Sequence, residues 1–142
     1  MDEMKLHPVG YVEAMPEDPE GASGRRRIRI REKYLPALEG VEELEHLWVL
    51  FWFHRLESGG RGILKGYPCG DRSRARRGVF ALRSPVRPNP IGLTRVRVLG
   101  TGGDSLLVED LDAWPGTPVL DLKPATEKSP EGGNCHEDND TE

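Results

Sequence analysis

Residues 83–92 read RSPVRPNPIG, three prolines within ten residues. Each proline fixes its own φ and removes a backbone donor. Each also pushes the residue before it toward extended geometry. Neither a helix nor a central strand tolerates this pattern. The segment is therefore expected to be a stiff, extended loop that holds Arg83, Arg87 and Asn89 in place. Stiffness lowers the entropy lost when a ligand is gripped, so the loop reads as a clamp. The competing reading is a proline-rich turn with solvated arginines.

The flanking sequence reads as β structure. HPVGYVEAM (7–15) is expected as a first strand with Val9, Tyr11 and Ala14 inward. RRRIRIR (25–31) alternates Arg with Ile, the period of a half-buried strand. EKYLPALEGVEEL suggests one or two short helical turns broken by Pro36 and Gly40. HLWVLFWFHRL (46–56) reads as a strand buried on both faces. Residues 58–78 are rich in Gly and Arg and imply a long loop. GVFALRS (78–84) reads as a strand entering the proline loop. IGLTRVRVLG (91–100) reads as another, with Leu93, Val96 and Val98 inward and Arg95 and Arg97 outward. A TGGD hairpin, SLLVEDLDA and PGTPVLDLKP complete the pattern. Six or seven short strands with turns between them suggest a mainly β fold: one small barrel with short helical turns. The barrel is assigned residues 1–124. The tail, 125–142, is acidic, nearly free of apolar residues and expected to be disordered.

Charge narrows the function. The 142-residue chain carries a net charge of -4. Residues 125–142 hold six acids and one lysine, a net of -5, which leaves +1 for residues 1–124. From Arg72 to Gly103 there are eight arginines and no acid. Arg72, Arg74, Arg76 and Arg77 are hard to pair locally. With the cluster at 25–31 they point to a polyanionic partner such as RNA. The longest apolar run, LWVLFWF, is too short to span a membrane, and the N-terminus lacks a signal pattern. A cytoplasmic protein with no membrane partner is expected. Two distant cysteines make no disulfide framework, and without CxxC or paired histidines no metal site is expected. No GxGxxG motif follows a strand, so a dinucleotide fold is not supported.

Three ordered stretches then carry a resemblance. GVFALRSPVRPNPIGL (78–93), GVEELEHLWVLFWFH (40–54) and LDAWPGTPVLDLKP (111–124) resemble the motifs of the TsaA-like family. That family contains S-adenosylmethionine-dependent tRNA (adenine-N6)-methyltransferases. The resemblance covers most of residues 7–124. It implies a small β-barrel, homodimeric, with S-adenosylmethionine near the subunit interface. It also implies methyl transfer to N6 of threonylcarbamoyl-modified adenosine beside the tRNA anticodon. Position by position, it implies cofactor contacts from His54, Arg55, Arg83, Leu93, Leu111, Asp112, Ala113 and Trp114. The motif loop adds Ser84, Arg87, Pro88, Asn89, Pro90 and Gly92. Where many members carry a Pro-Arg-Gln segment near the N-terminus, residues 13–24 here read EAMPEDPEGASG. Where members carry an aromatic after Lys-Pro, this chain has Ala125.

Methyl transfer from a sulfonium is an in-line displacement, so alignment supplies much of the catalysis, ~7–11 kcal/mol in favourable cases. The carbamoyl group acidifies the remaining N6 proton, and a general base would assist. His54, Asp112 and Asp121 are the candidates, although Asp121 better suits an ion pair with Arg83, Arg87 or Lys123, and His54 a cofactor contact. The four arginines at 72–77 are expected to meet tRNA phosphates. The alternative is a non-catalytic barrel that binds S-adenosylmethionine or RNA.

Overall fold

A computed structural model of the protein describes residues 3–55 and 58–125. The strands are β1 (Gly10–Ala14), β2 (Arg25–Ile30), β3 (His46–Trp52), β4 (Lys65–Gly66), β5 (Arg77–Gly78), β6 (Ile91–Gly102), β7 (Ser105–Glu109) and β8 (Pro118–Pro124). Six of them close into a barrel in the order β1-β2-β7-β6-β3-β8, every pair antiparallel. β4 and β5 form a separate two-residue ladder within the arginine-rich loop. Two 3₁₀ segments, Glu32–Leu38 and Val41–Glu43, join β2 to β3. Pro36 lies inside the first, and Gly40 starts the second at φ 91°.

Alternation along the strands fills the barrel. Leu47, Val49 and Phe51 of β3 point inward with Ile28 and Ile30 of β2, Val96 of β6, Leu106 and Val108 of β7, and Val119 of β8. Each fully buried aliphatic or Phe side chain contributes ~1.5–3 kcal/mol. Leu111 and Ala113, beyond the end of β7, belong to the same cluster. The loop expected to carry the site is therefore anchored in the core.

Several expectations need correction. β1 is shifted by one position: Gly10 and Val12 face inward, and Tyr11 is exposed. A Cβ at Gly10 would lie 2.4 Å from the Arg29 carbonyl oxygen, so only glycine allows β2 to approach this closely. β6 also has the other parity around Leu93. Gly92, Thr94 and Val96 turn inward, while Leu93 is 43% exposed. A Cβ at Gly92 would meet the Phe51 ring at 2.5 Å, so the glycine leaves room for that ring. β3 is fully buried on its inner face only; Trp48, Leu50 and Trp52 on the outer face are half-buried. It ends at Trp52, leaving His54 and Arg55 in a turn. GVFALRS is not a strand beyond Gly78, the last residue of β5. Val79–Ala81 form a 3₁₀ turn with Phe80 in solvent. The acidic tail lies outside the described residues except Ala125, which is buried and donates its backbone N–H to the His46 carbonyl at 3.2 Å.

Candidate functional site

The proline loop is tied to the barrel by side chains. Arg87 donates to the carbonyls of Val79 (2.9 Å), Leu82 (3.0 Å) and Ser84 (2.8 Å). Its guanidinium thus replaces the ladder bonds that a strand at 78–84 would have made. The Ser84 hydroxyl accepts the Val86 N–H at 3.1 Å. Arg61 donates to the Pro88 carbonyl (2.7 Å) and Asn89 Oδ1 (2.9 Å), and lies over the Trp52 ring. The Pro90 carbonyl accepts the Phe53 N–H at 2.8 Å. Stiff residues and distributed donors hold the loop in one shape.

The loop borders a gap in the barrel wall. β6 pairs with β3 from Ile91 onward, but with β7 only from Arg97. Arg83 reaches the exposed edge of β6 and donates from Nη2 to the Leu93 carbonyl at 2.6 Å. A cavity of about 240 Å³ opens here, lined by Phe51, Phe53, Arg83, Asn89, Gly92, Leu93 and Thr94 among others. A second cavity, about 510 Å³, is lined by Gly21, Arg26, Thr94, Leu111, Asp112 and Trp114 among others. Thr94 stands in the wall of both. The second volume lies within the range of small-molecule sites, ~300–1,000 Å³.

Three further contacts bear on residues in or beside the wall of the second cavity. The Arg55 guanidinium lies 4.2 Å from the centre of the Trp114 ring, a cation–π stack. His54 Nε2 approaches Gly116, where a Cβ would come within 3.7 Å of it. Desolvation, and then the Arg55 charge, hold the His54 pKa below its usual value. The imidazole is therefore neutral near pH 7 and able to accept a proton. Arg26 is 6% exposed and lies inside the barrel wall with Ile28 and Ile30. Its Nε donates to the Ala113 carbonyl at 3.0 Å, and its Nη1 to the carbonyls of Arg25 (3.0 Å) and Gly21 (3.3 Å). Both carboxylate oxygens of Asp112 are buried.

The structure thus brings His54, Arg55, Leu111, Asp112, Ala113 and Trp114 to one side of the gap. Arg83, Leu93, Asn89 and Gly92 lie on the other. Asp121 does not join them. It pairs with Lys123 at 2.9 Å and lines a separate, mostly apolar cavity with Tyr34, Leu38 and Val41. Its candidacy as a base is not supported within one chain. Arg72, Arg74, Arg76 and Arg77 are exposed, and among the described residues none is within ion-pair distance of a carboxylate. The cluster at 25–31 differs. Glu13, Asp104 and Glu109 pair with Arg25, Arg27 and Arg29, Arg26 is buried, and Arg31 donates to the Pro8 carbonyl. Three of its five arginines are thus engaged by carboxylates and a fourth is buried, which leaves the 72–77 cluster with more exposed charge for a partner.

Arg26 and Arg61 were not legible as site residues. Both act on backbone carbonyls distant in sequence, and no motif marks such partners. In RRRIRI the alternation itself carried a faint signal, because Arg26 has the parity of Ile28 and Ile30.

Comparison with known proteins places the chain among its relatives. A probable S-adenosyl-L-methionine-binding protein of Methanothermobacter thermautotrophicus is 40% identical over 129 residues, covering 86% of this chain and 90% of that one. The human tRNA (adenine(37)-N6)-methyltransferase is 37% identical over 130 residues, covering 82% of this chain and 29% of that one. The crystal structure of TrmO from Pseudomonas aeruginosa superposes with a TM-score of 0.65 at 31% identity, covering 87% of this chain and 56% of that one. The chain therefore spans nearly all of the first relative but just over half of the solved structure. Residues 8–129 match the family described as the tRNA-methyltransferase O N-terminal domain, and the chain belongs to that family.

Proposed function

We propose that this protein binds S-adenosylmethionine at the gap beside β6 and transfers its methyl group to N6 of adenosine 37 in tRNA. The preferred acceptor in this reading carries the threonylcarbamoyl modification. One observation carries the proposal. Three sequence-distant motifs, the end of β3, the proline loop and residues 111–114, converge on two cavities that share Thr94. Relatives named as S-adenosyl-L-methionine-binding proteins and as tRNA (adenine(37)-N6)-methyltransferases support the choice of cofactor and acceptor.

The residues present suit such a cofactor. The walls supply an aromatic face at Trp114, apolar surface at Leu111 and Phe53, and buried carboxylate oxygens at Asp112. Aromatic faces suit an adenine ring. A carboxylate suits ribose hydroxyls or a cationic group. When bound, the cofactor supplies an activated methyl group on a sulfonium. The protein's part is alignment: Arg61, Arg83 and Arg87 fix the proline loop on one side, and Arg26 fixes residues 111–114 on the other. His54, beside Trp114 through Arg55 and held neutral, and Asp112, in the wall of the second cavity, are the candidate bases for the N6 proton.

The exposed arginines at 72–77 would meet the phosphates of the anticodon loop, where single-stranded bases are open to recognition. Two copies would pair through the outer face of β3 and β6, where Leu50 stands opposite Leu93 and Trp52 opposite Ile91. Ile91 and Leu93 are both exposed in one chain, which favours a covering partner. We place the reaction in the cytoplasm, where this reading puts its tRNA acceptor.

Tritium transfer from labelled S-adenosylmethionine into tRNA tests the reading. Label on threonylcarbamoyl-modified adenosine, absent from unmodified tRNA, is the expected result. Label on both would remove the requirement for the modification. Cofactor binding without label would leave a binding module.

A further inference from the structure

The arginine-rich loop carries an unexplained apolar feature. Phe80 is 86% exposed, yet it does not sit on a floppy tip. It occupies the centre of the Val79–Ala81 3₁₀ turn, and the carbonyls on either side of it, at Val79 and Leu82, are both held by Arg87. The Val79 N–H donates to the Leu64 carbonyl at 2.9 Å, which fixes the turn against the β4–β5 ladder. Ile63 and Leu64, in the segment just before β4, are also exposed. The backbone beneath the ring is fixed by these bonds, yet the ring itself gains no burial in return.

The surroundings identify what would cover it. Lys65 lies opposite Gly78 and Arg77 opposite Gly66 in the ladder that leads into the turn. Arg76 and Arg77 are exposed and unpaired among the described residues. An aromatic face beside free cations suits single-stranded nucleic acid, whose bases stack on the ring while its phosphates meet the charges. An apolar protein partner would gain nothing from that ring of cations.

We propose that Phe80 is a stacking platform for an unpaired base of the tRNA anticodon loop. This inference rests on the tRNA reading above and names how the loop is held.

The test measures tRNA affinity and its salt dependence for the full chain and for Phe80→Ala, Phe80→Leu and Phe80→Trp. Loss of one stacked base weakens affinity about five- to a hundredfold. Phe80→Ala should show that loss with the salt slope unchanged, since no phosphate contact is removed. Phe80→Trp should restore affinity. Phe80→Leu should not, because it keeps apolar bulk without a π face. Melting temperature and S-adenosylmethionine affinity should match the parent in all three. The inference is overturned if Phe80→Ala binds tRNA like the parent, or if Phe80→Leu is as good as Phe. It is also overturned if Phe80→Ala changes the molar mass in light scattering, because the ring would then dock on a second copy. A parent chain that neither binds nor methylates tRNA would bring down the functional reading, and this inference with it. A parent that methylates tRNA, matched by Phe80→Ala, would bring down this inference alone.

Discussion

The guanidinium of Arg55 stands 4.2 Å from the centre of the Trp114 ring, joining the turn after β3 to the loop that follows β7. Neither residue belongs to a strand, and the stack adds a direct side-chain link between two segments that are otherwise held separately, by Arg26 on one side and by the Phe53–Pro90 backbone bond on the other. Such stacks contribute modestly at exposed sites. Arg55→Ala and Trp114→Ala are each expected to weaken S-adenosylmethionine binding at least two- to fivefold. The double variant should lose less than the product of the two, because the residues act as one unit. Calorimetric titration of the four proteins measures the coupling; strictly multiplicative losses would show that the stack does not organise the site.

Arg26 presents a different kind of support. Its buried guanidinium satisfies three carbonyls, at Gly21, Arg25 and Ala113. Truncation leaves those acceptors without their donor and opens a void beside the core. Arg26→Ala should cost about 2–4 kcal/mol of stability, a fall of roughly 6–15 °C in melting temperature. Arg26→Lys keeps the charge but not the fork, and should recover little. Scanning calorimetry checks the stability, and cofactor titration of the folded fraction checks the loop. A native melting temperature for Arg26→Ala would rule out the clamp.

His54 offers a prediction in pH. Its pKa is lowered by desolvation and then by Arg55. A histidine with a folded pKa below its unfolded value binds more protons when unfolded, so stability falls as pH drops below about 6.5 and through the folded pKa. In Arg55→Gln the repelling charge is gone, and the folded pKa should move back up toward the ordinary value. Proton NMR titration of the His54 ring reports this without reference to turnover. If His54 is also the base, the acid limb of kcat/KM should move up with it. A limb that stays fixed while the NMR pKa moves would leave His54 a cofactor contact only.

Much of this architecture was legible because strands announce themselves by alternation. The barrel, the hairpin at Gly103 and the stiffness of residues 83–92 followed from pattern and proline chemistry. Phase was harder. In β1 both parities offer apolar residues, Val9 and Tyr11 or Val12, and packing chose Val12 because Gly10 must face Arg29. Leu93 looked like core by hydropathy, but the Phe51 ring occupies the inner side at Gly92, which turns Leu93 outward. GVFALRS has the composition of a strand. It became a turn because Arg87 takes its carbonyls, a partner five to eight residues away that no period reveals. Charge misled in a parallel way. RRRIRIR looked as free as the 72–77 cluster, and only the fold brought Glu13, Asp104 and Glu109 across from neighbouring strands.

That contrast between two arginine clusters is itself testable. The arginines at 72, 74, 76 and 77 have no carboxylate within ion-pair distance among the described residues, so their charge is available to a polyanion. Each phosphate neutralised on a single strand adds about 0.7 to the slope of log affinity against log salt. Replacing all four with Ala should flatten the tRNA-binding slope by up to about 3 and weaken binding most at low salt. Arg29 is already engaged by Glu13 and Asp104, at 2.7 and 2.8 Å. Arg29→Ala should therefore leave the slope nearly unchanged and instead remove a surface network linking β1, β2 and the β6–β7 turn. Surface networks contribute little to stability, so the melting temperature should move only slightly. Binding isotherms across a salt series separate the two clusters. Equal flattening by both sets would mean that the strand carboxylates give way to RNA, and that the nucleic-acid face extends over β2.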